Sequence, residues 1–134
     1  SRVSFRLFDY VLVKFFRTGR NVLIYGAGKG GIMTLLEIQN NGSLGLKPIG
    51  FLDDDTTKHG RVMRDYPIFG GIEALEGLLQ KNGIEEVIVS TDSIQSSRIE
   101  TLTRICREAS IPIRKLRLAF DKIELGPPIE EGEK

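Results

Sequence analysis

The stretch 22–36, VLIYGAGKGGIMTLL, limits what this chain can fold into more than any other part of it. A short apolar run breaks off, Gly26, Gly28, Gly30 and Gly31 follow within six positions, and helix formers resume. Glycine weakens strands and helices alike because it has the most backbone freedom to lose. Four of them between two such elements imply that something must come close to the backbone there. The unbroken apolar run NVLIY at 21–25 is the mark of a strand covered on both faces, as in a parallel sheet.

The rest of the chain continues the alternation. Ile32, Leu35, Leu36 and Ile38 give a helix that stops at Asn40, Asn41 and Gly42. KPIGFLDDD reads as a second strand that begins near Pro48 and ends in three carboxylates. Positions 56–71 have turn chemistry throughout, with at most a short strand at Ile68 and Phe69. A helix with Leu75, Leu78 and Leu79 inward runs from Ile72 to about Asn82, and EEVIVS is the next buried strand. Positions 95–109 carry Ile99, Leu102, Ile105, Cys106 and Ala109 at helical spacing, and IPIRKLRL is the last strand. Alternating strands and helices predict an α/β fold, a doubly wound parallel sheet of four or five strands with right-handed crossovers. Ligands of such sheets sit beyond the carboxyl ends of the strands, at the switch point in strand order. The glycine turn, the aspartates after the second strand and STDS after the fourth meet at that edge.

GAGKGG satisfies G-x-G-x-x-G with Gly26, Gly28 and Gly31. Gly26 permits a tight turn, Gly28 lets a pyrophosphate approach, and Gly31 lets helix and strand pack closely. Free amides and the positive dipole end of the helix favour phosphate, so Ala27, Lys29 and Gly30 join the candidate cradle. Lys29 either adds a cation for phosphate or stays solvated. Asp53, 22 residues past Gly31, is placed to accept ribose hydroxyls, with Asp54 beside it. A carboxylate there disfavours a 2′-phosphate, which points to NAD, with NADP, CoA and a UDP-sugar as alternatives. The competing reading is steric: glycine serves the turn alone and the aspartates make a solvated loop. Ser90 and Thr91 offer hydroxyls at the same edge, to ribose or phosphate or as caps of the next helix. Arg61 and Arg64, in the loop after the second strand, either reach a phosphate or sugar acid or, the favoured reading, serve as surface residues. GK[ST] is missing from its P-loop position, so the turn is not that of an ATP-hydrolysing P-loop.

Composition narrows the class further. At 134 residues, 40% hydrophobic and 28% charged, the chain suits one domain with a real core. A formal net charge of +1 supplies no field to draw in nucleic acid. The charge is uneven: the first twenty residues hold five basic side chains and one acidic. Helical periodicity over 2–17 puts Phe5, Phe8, Leu12, Phe15 and Phe16 on one face, ending at Thr18 and Gly19. That amphipathic helix suits a membrane surface, and equally packing on the sheet or on a second subunit as a homodimer. Cys106 is the single cysteine, which rules out an internal disulfide. No run approaches the roughly 20 apolar residues of a membrane span. Beginning at Ser1 suggests a piece of a longer protein. The expected division is a lead-in helix at 1–19, a nucleotide-binding domain at 20–120 and a flexible acidic tail at 121–134.

Catalytic groups are sparse in this reading. Hydride transfer needs a substrate pocket and a positioned acid or base, and little chain is left to build them. Tyr10 and Lys14 have Y-x-x-x-K spacing but precede the glycine motif. His59 has no second ligand at metal spacing and reads as a solvated turn residue. Cys106 lies on the inward stripe of its helix and reads as core. No catalytic residue and no metal ligand is assigned.

VLIYGAGKGG, LKPIGFLDDD, Gly60, YPIFGGIEALEGLL and GIEEVIVS, in this order and spacing over about 20–118, resemble a known family. It is the Rossmann-like nucleotide-binding domain, of CoA- or NAD-binding type, attached to membrane enzymes of polysaccharide and glycoconjugate synthesis. Those enzymes include nucleoside-diphosphate-sugar epimerases and 4,6-dehydratases, and polyprenyl-phosphate sugar transferases. The resemblance implies an accessory or regulatory nucleotide-binding domain on the cytoplasmic side of the membrane, with the chemistry in a separate catalytic domain. It supports Gly26, Gly28, Gly31 and Asp53 as the binding residues. SFRLFDY is similar to the segment that joins the last membrane helix to this domain. An N-terminal domain of sugar acyltransferases has a similar GFLDDD and PIFGG and binds a UDP-sugar. A free-standing oxidoreductase or epimerase and a purely structural, oligomerising module are the other two readings.

Overall fold

The computed structural model describes residues 19–90 and 94–117. The lead-in helix over 2–17, the tail at 121–134 and Thr91 therefore lie outside the described residues. Within them the chain runs β1 (Arg20–Tyr25), α1 (Lys29–Asn40), β2 (Leu46–Leu52), β3 (Val62–Met63), β4 (Tyr66–Gly70), α2 (Leu75–Lys81), β5 (Glu86–Val89), α3 (Ser96–Glu108) and β6 (Ile113–Lys115). The sheet order is β3-β4-β2-β1-β5-β6. Five strands are parallel, and β3 alone pairs antiparallel, with β4.

Alternation along the central strands sorts the core into two layers, since successive side chains point to opposite faces. Leu23, Tyr25, Leu52, Val87 and Val89 pack against Leu75 and Leu78 of α2 and Leu102, Ile105 and Cys106 of α3. Val22, Ile24, Phe51, Ile68 and Ile88 turn the other way, against Leu35 and Ile38 of α1. Helices thus cover both faces, which is the doubly wound arrangement. β1 lies at its centre with every residue from Val22 to Tyr25 at most 1% exposed, as its unbroken apolar run requires.

Several features differ from the sequence expectations: the helix expected from Ile72 is α-helical only from Leu75, after a 3₁₀ turn over Ile72–Ala74, and the last strand is confined to Ile113–Lys115. β2 starts at Leu46, ahead of Pro48, and its pairing with β1 shifts register just after the proline, Val22 facing Pro48 and Leu23 facing Gly50 with Ile49 as the extra residue. β4 spans five residues instead of two. A sixth strand, β3, adds to the four or five expected. It forms a hairpin through Arg64 and Asp65, whose φ angles of 49° and 71° are left-handed, a turn that usually announces itself with Asn-Gly. Ala109 is exposed and not part of the inward stripe of α3.

Among the described residues, one charged side chain is wholly inside. Glu86 at the start of β5 is 0% exposed, with Arg20 Nη2 2.7 Å from its Oε1 and Arg114 Nε donating to its Oε2. The Arg20 contact is an ion pair without hydrogen-bond alignment, which leaves Oε1 without a hydrogen-bond partner among the described residues.

Candidate functional site

Strand order reverses between β1 and β5: the chain leaves β1 for β2 on one side and returns through β5 on the other. Crossovers on the two sides diverge at such a point and leave a crevice at the carboxyl ends. A cleft of about 550 Å³ opens there, within the usual range for a small-molecule site.

The floor of the cleft is the glycine turn. Gly26 has φ 114°, a conformation that side chains rarely allow, and its N–H donates to Leu52 O at 2.7 Å. A Cβ on Gly31 would fall 2.0 Å from Gly26 O, and one on Gly30 would fall 2.2 Å from Ser90 O. These two glycines set the close approach of α1 to β1 and β5. Gly28 differs, because a Cβ there meets nothing within 4 Å. It is the N-cap of α1 with extended backbone and no side-chain cap. The first N–H groups of a helix lack internal partners, and no side chain caps them here.

Asp53 ties the end of β2 to that turn. Its Oδ2 accepts the Ala27 N–H at 2.7 Å and its Oδ1 accepts the Asp55 N–H at 2.8 Å. Asp54 Oδ1 accepts the Tyr25 hydroxyl and lies 3.4 Å from Arg98 Nη1 at the start of α3. Burial first, and then the bond to Asp54, push the Tyr25 phenol well above its ordinary range. Asp55 accepts from both the N–H and the hydroxyl of Thr57, and those bonds lower its carboxyl. All three carboxylates therefore have partners in the fold itself.

Of the residues expected at the site, Gly26, Gly28, Lys29, Gly30, Gly31, Asp53, Asp54 and Ser90 line the cleft. Ala27 is buried beneath it and takes part through its backbone. The Ser90 hydroxyl shares its one proton between Tyr25 O at 3.0 Å and Gly26 O at 3.1 Å, so it braces the glycine turn, and only its lone pairs are left for a ligand. Tyr25, Asp55, Lys58 and Ile94 also line the cleft, and the sequence reading passed over them. Tyr25 had a signal, as the last strand residue before the turn. Lys58 had none, since a short 3₁₀ turn over Thr56–Lys58 brings it back.

Residues read as bland can be placed too. Arg61 and Arg64 are exposed outside the cleft. His59 is half-buried instead of solvated, and its Nε2 donates to Asp53 O at 2.6 Å. Cys106 is buried and its thiol is pushed up to about 11 by burial, which fits a packing role. Among the described residues no group of acidic, His or Cys side chains is arranged to hold a metal. No helix among them is long and apolar enough to cross a membrane.

Comparisons with known proteins agree with this geometry. Two curated relatives are a probable polysaccharide biosynthesis protein, EpsC, of Bacillus subtilis and the capsular polysaccharide biosynthesis protein CapD of Staphylococcus aureus. The first is 31% identical over 104 residues, 78% of this chain and 17% of the relative. The second is 21% identical over 117 residues, 87% of this chain and 20% of the relative. The chain thus spans about a fifth of the length of these proteins. Among solved structures, UDP-D-quinovosamine 4-dehydrogenase from Vibrio fischeri superposes with a TM-score of 0.65 at 25% identity, over 74% of this chain and 79% of that one. The Rex-family repressor RSP in complex with β-NADH shares the fold, with a TM-score of 0.59 at 20% identity, over 89% of this chain and 57% of that one. A model of the CoA-binding domain family matches residues 2–116, and on that match, with the glycine turn and sheet order beneath it, the chain belongs to this family of Rossmann-like nucleotide-binding domains.

Proposed function

We propose that the domain binds a nucleotide whose diphosphate rests on the uncapped start of α1, and that it serves a polysaccharide-biosynthesis protein as an accessory or regulatory module. The observation that carries this is the open space over Gly28 at the head of α1, inside a cleft that also holds Lys29 and Lys58. Unpaired amides at a helix N-terminus are preorganised for phosphate, and Lys29 at the start of the helix adds charge for it. NAD is the first ligand of this reading, since Asp53 at the end of β2 is placed for ribose hydroxyls. CoA is favoured by the family description, and a UDP-sugar by the named activity of the Vibrio fischeri neighbour.

The reading gives the domain binding and leaves chemistry to other parts of a longer protein. Tyr25 and Asp54 at the cleft are bonded to each other, and Asp54 is paired with Arg98, an arrangement that holds structure more than it moves protons. The lead-in segment, with its aromatic face and basic flank, would attach the domain to the cytoplasmic side of a membrane or to a second subunit.

Thermal melting against NAD, NADP, CoA and UDP-sugars tests the proposal. A ligand at 100 times its dissociation constant adds about 2.7 kcal/mol, a shift of several degrees for a domain of this size. Gly28→Val leaves the unliganded melting point near that of the native chain, because its backbone is extended and its surroundings empty, yet abolishes the shift. A native chain that no nucleotide stabilises removes the proposal.

A further inference from the structure

The end of β2 carries a charge arrangement that a ribose-binding aspartate does not need. Lys58 reaches back over Asp53: its Nζ donates to Ala27 O at 3.4 Å and lies 3.8 Å from Asp53 Oδ2. The backbone beneath it is firmly held. Asp55 caps the turn through Thr57, the Lys58 N–H donates to Asp55 O at 3.0 Å, and the His59 ring is bonded to Asp53 O. The ammonium remains partly open, with the side chain 37% exposed and facing the cleft. It carries three donors, and the Ala27 carbonyl takes one of them.

A lone carboxylate at this place repels a phosphate on the neighbouring ribose, which is how such sites select an unphosphorylated nucleotide. An ammonium less than 4 Å from that carboxylate cancels most of the repulsion and offers a charge-assisted donor in its place. We propose that Lys58 is a specificity-determining residue of the cleft, placed to admit a nucleotide that carries an extra phosphate on its ribose. This rests on the nucleotide-binding reading above and adds the ligand class: a ribose phosphate beside the diphosphate, at the 2′ position as in NADP or the 3′ position as in CoA.

Two matched pairs of probes separate the positions. NAD against NADP reports the 2′-phosphate, and dephospho-CoA against CoA reports the 3′-phosphate. Calorimetric titration of the native chain is expected to show, in at least one pair, a phosphorylated member bound no more than about tenfold more weakly than its partner. Lys58→Gln weakens that phosphorylated member by a further factor of about ten or more relative to its partner, and Lys58→Arg restores it. Lys29→Gln, at the diphosphate end, weakens both members by the same factor. Unliganded melting points within about a degree of the native one show that the partly exposed Lys58 has not been removed at the expense of the fold. If NAD or dephospho-CoA binds while Lys58→Gln leaves both ratios unchanged, or lowers both members equally, the assignment of Lys58 falls and the nucleotide site stands. If none of the four binds the native chain, the nucleotide reading falls and takes this one with it.

Discussion

The two ends of the central strands use charge in opposite ways. At the amino end Glu86 is completely buried and closed off by Arg20 and Arg114, each about half exposed. At the carboxyl end Asp53, Asp54 and Asp55 stand at the wall of an open cleft, and their partners are backbone N–H groups, hydroxyls and exposed cations. Burial makes the first cluster a matter of stability, since a desolvated carboxylate must keep its partners. Exposure makes the second a matter of shape: its bonds fix the turn and the loop, while water screens the charges. One sheet therefore carries a structural ion cluster at one end and an adjustable, ligand-facing one at the other.

The largest expected effect breaks the amino-end cluster. Arg20→Ala combined with Arg114→Ala leaves Glu86 buried with no cation, a loss of about 3–5 kcal/mol in urea unfolding. Glu86→Leu, which removes the charge together with its need for partners, is expected to cost much less, because the two arginines can turn to water. If the double variant unfolds at the native urea concentration, the amino-end cluster is no more structural than the carboxyl-end one, and the contrast disappears.

Next in size is a pair of glycine substitutions at the carboxyl end. Gly31→Ala drives a methyl into Gly26 O and costs about 1–3 kcal/mol through overpacking. Gly28→Ala meets nothing and leaves stability within about 0.5 kcal/mol. Equal losses in thermal melts would mean that the space over Gly28 is not free, and the cleft would lose its distinguishing feature.

Tyr25 links the core to the cleft and gives a pH-dependent test. Burial and Asp54 raise its phenol in the folded protein above the unfolded value of about 10. The folded state then holds a proton that the unfolded chain releases. The contribution is whole below pH 10 and is lost as pH climbs through the higher folded value. Tyr25→Phe removes the bond to Asp54 at about 1 kcal/mol near neutral pH and flattens the alkaline fall relative to the native chain. Parallel stability curves for the two proteins above pH 10 would mean that the phenol is as free folded as unfolded.

How much of this was legible in the sequence follows from what each feature depends on. The glycine turn was readable because most of its requirements are local: a positive φ at Gly26 and the close contact of Gly31 with Gly26 O leave glycine as the residue that fits, while Gly30 answers to the distant Ser90 O. β1 and β5 were readable because strands covered on both sides must be apolar throughout. Glu86 was not, since its burial depends on Arg20 and Arg114, 66 positions before it and 28 after it, brought together by strand order alone. Lys58 was hidden for a similar reason: a capped 3₁₀ turn carries it to the cleft. β3 was missed because Arg64 and Asp65 adopt left-handed backbone without the glycine or asparagine that marks such a hairpin.

The smallest expected effect concerns Arg98, which stands to Asp54 as Arg20 and Arg114 stand to Glu86, but in water. Its side chain is 45% exposed and that of Asp54 35%, with 3.4 Å between the charged atoms. An ion pair so exposed gains little over hydration and loses side-chain freedom, so Arg98→Ala is expected to cost at most about 0.5 kcal/mol, and less as salt is added. Asp54 keeps the Tyr25 hydroxyl in that variant, so the wall of the cleft holds its form. Urea unfolding in low and high salt measures both the size and the screening. A loss above about 1 kcal/mol that persists in high salt would show that the Tyr25, Asp54 and Arg98 group is desolvated as Glu86 is, and the division of labour between the two ends of the sheet would have to be redrawn.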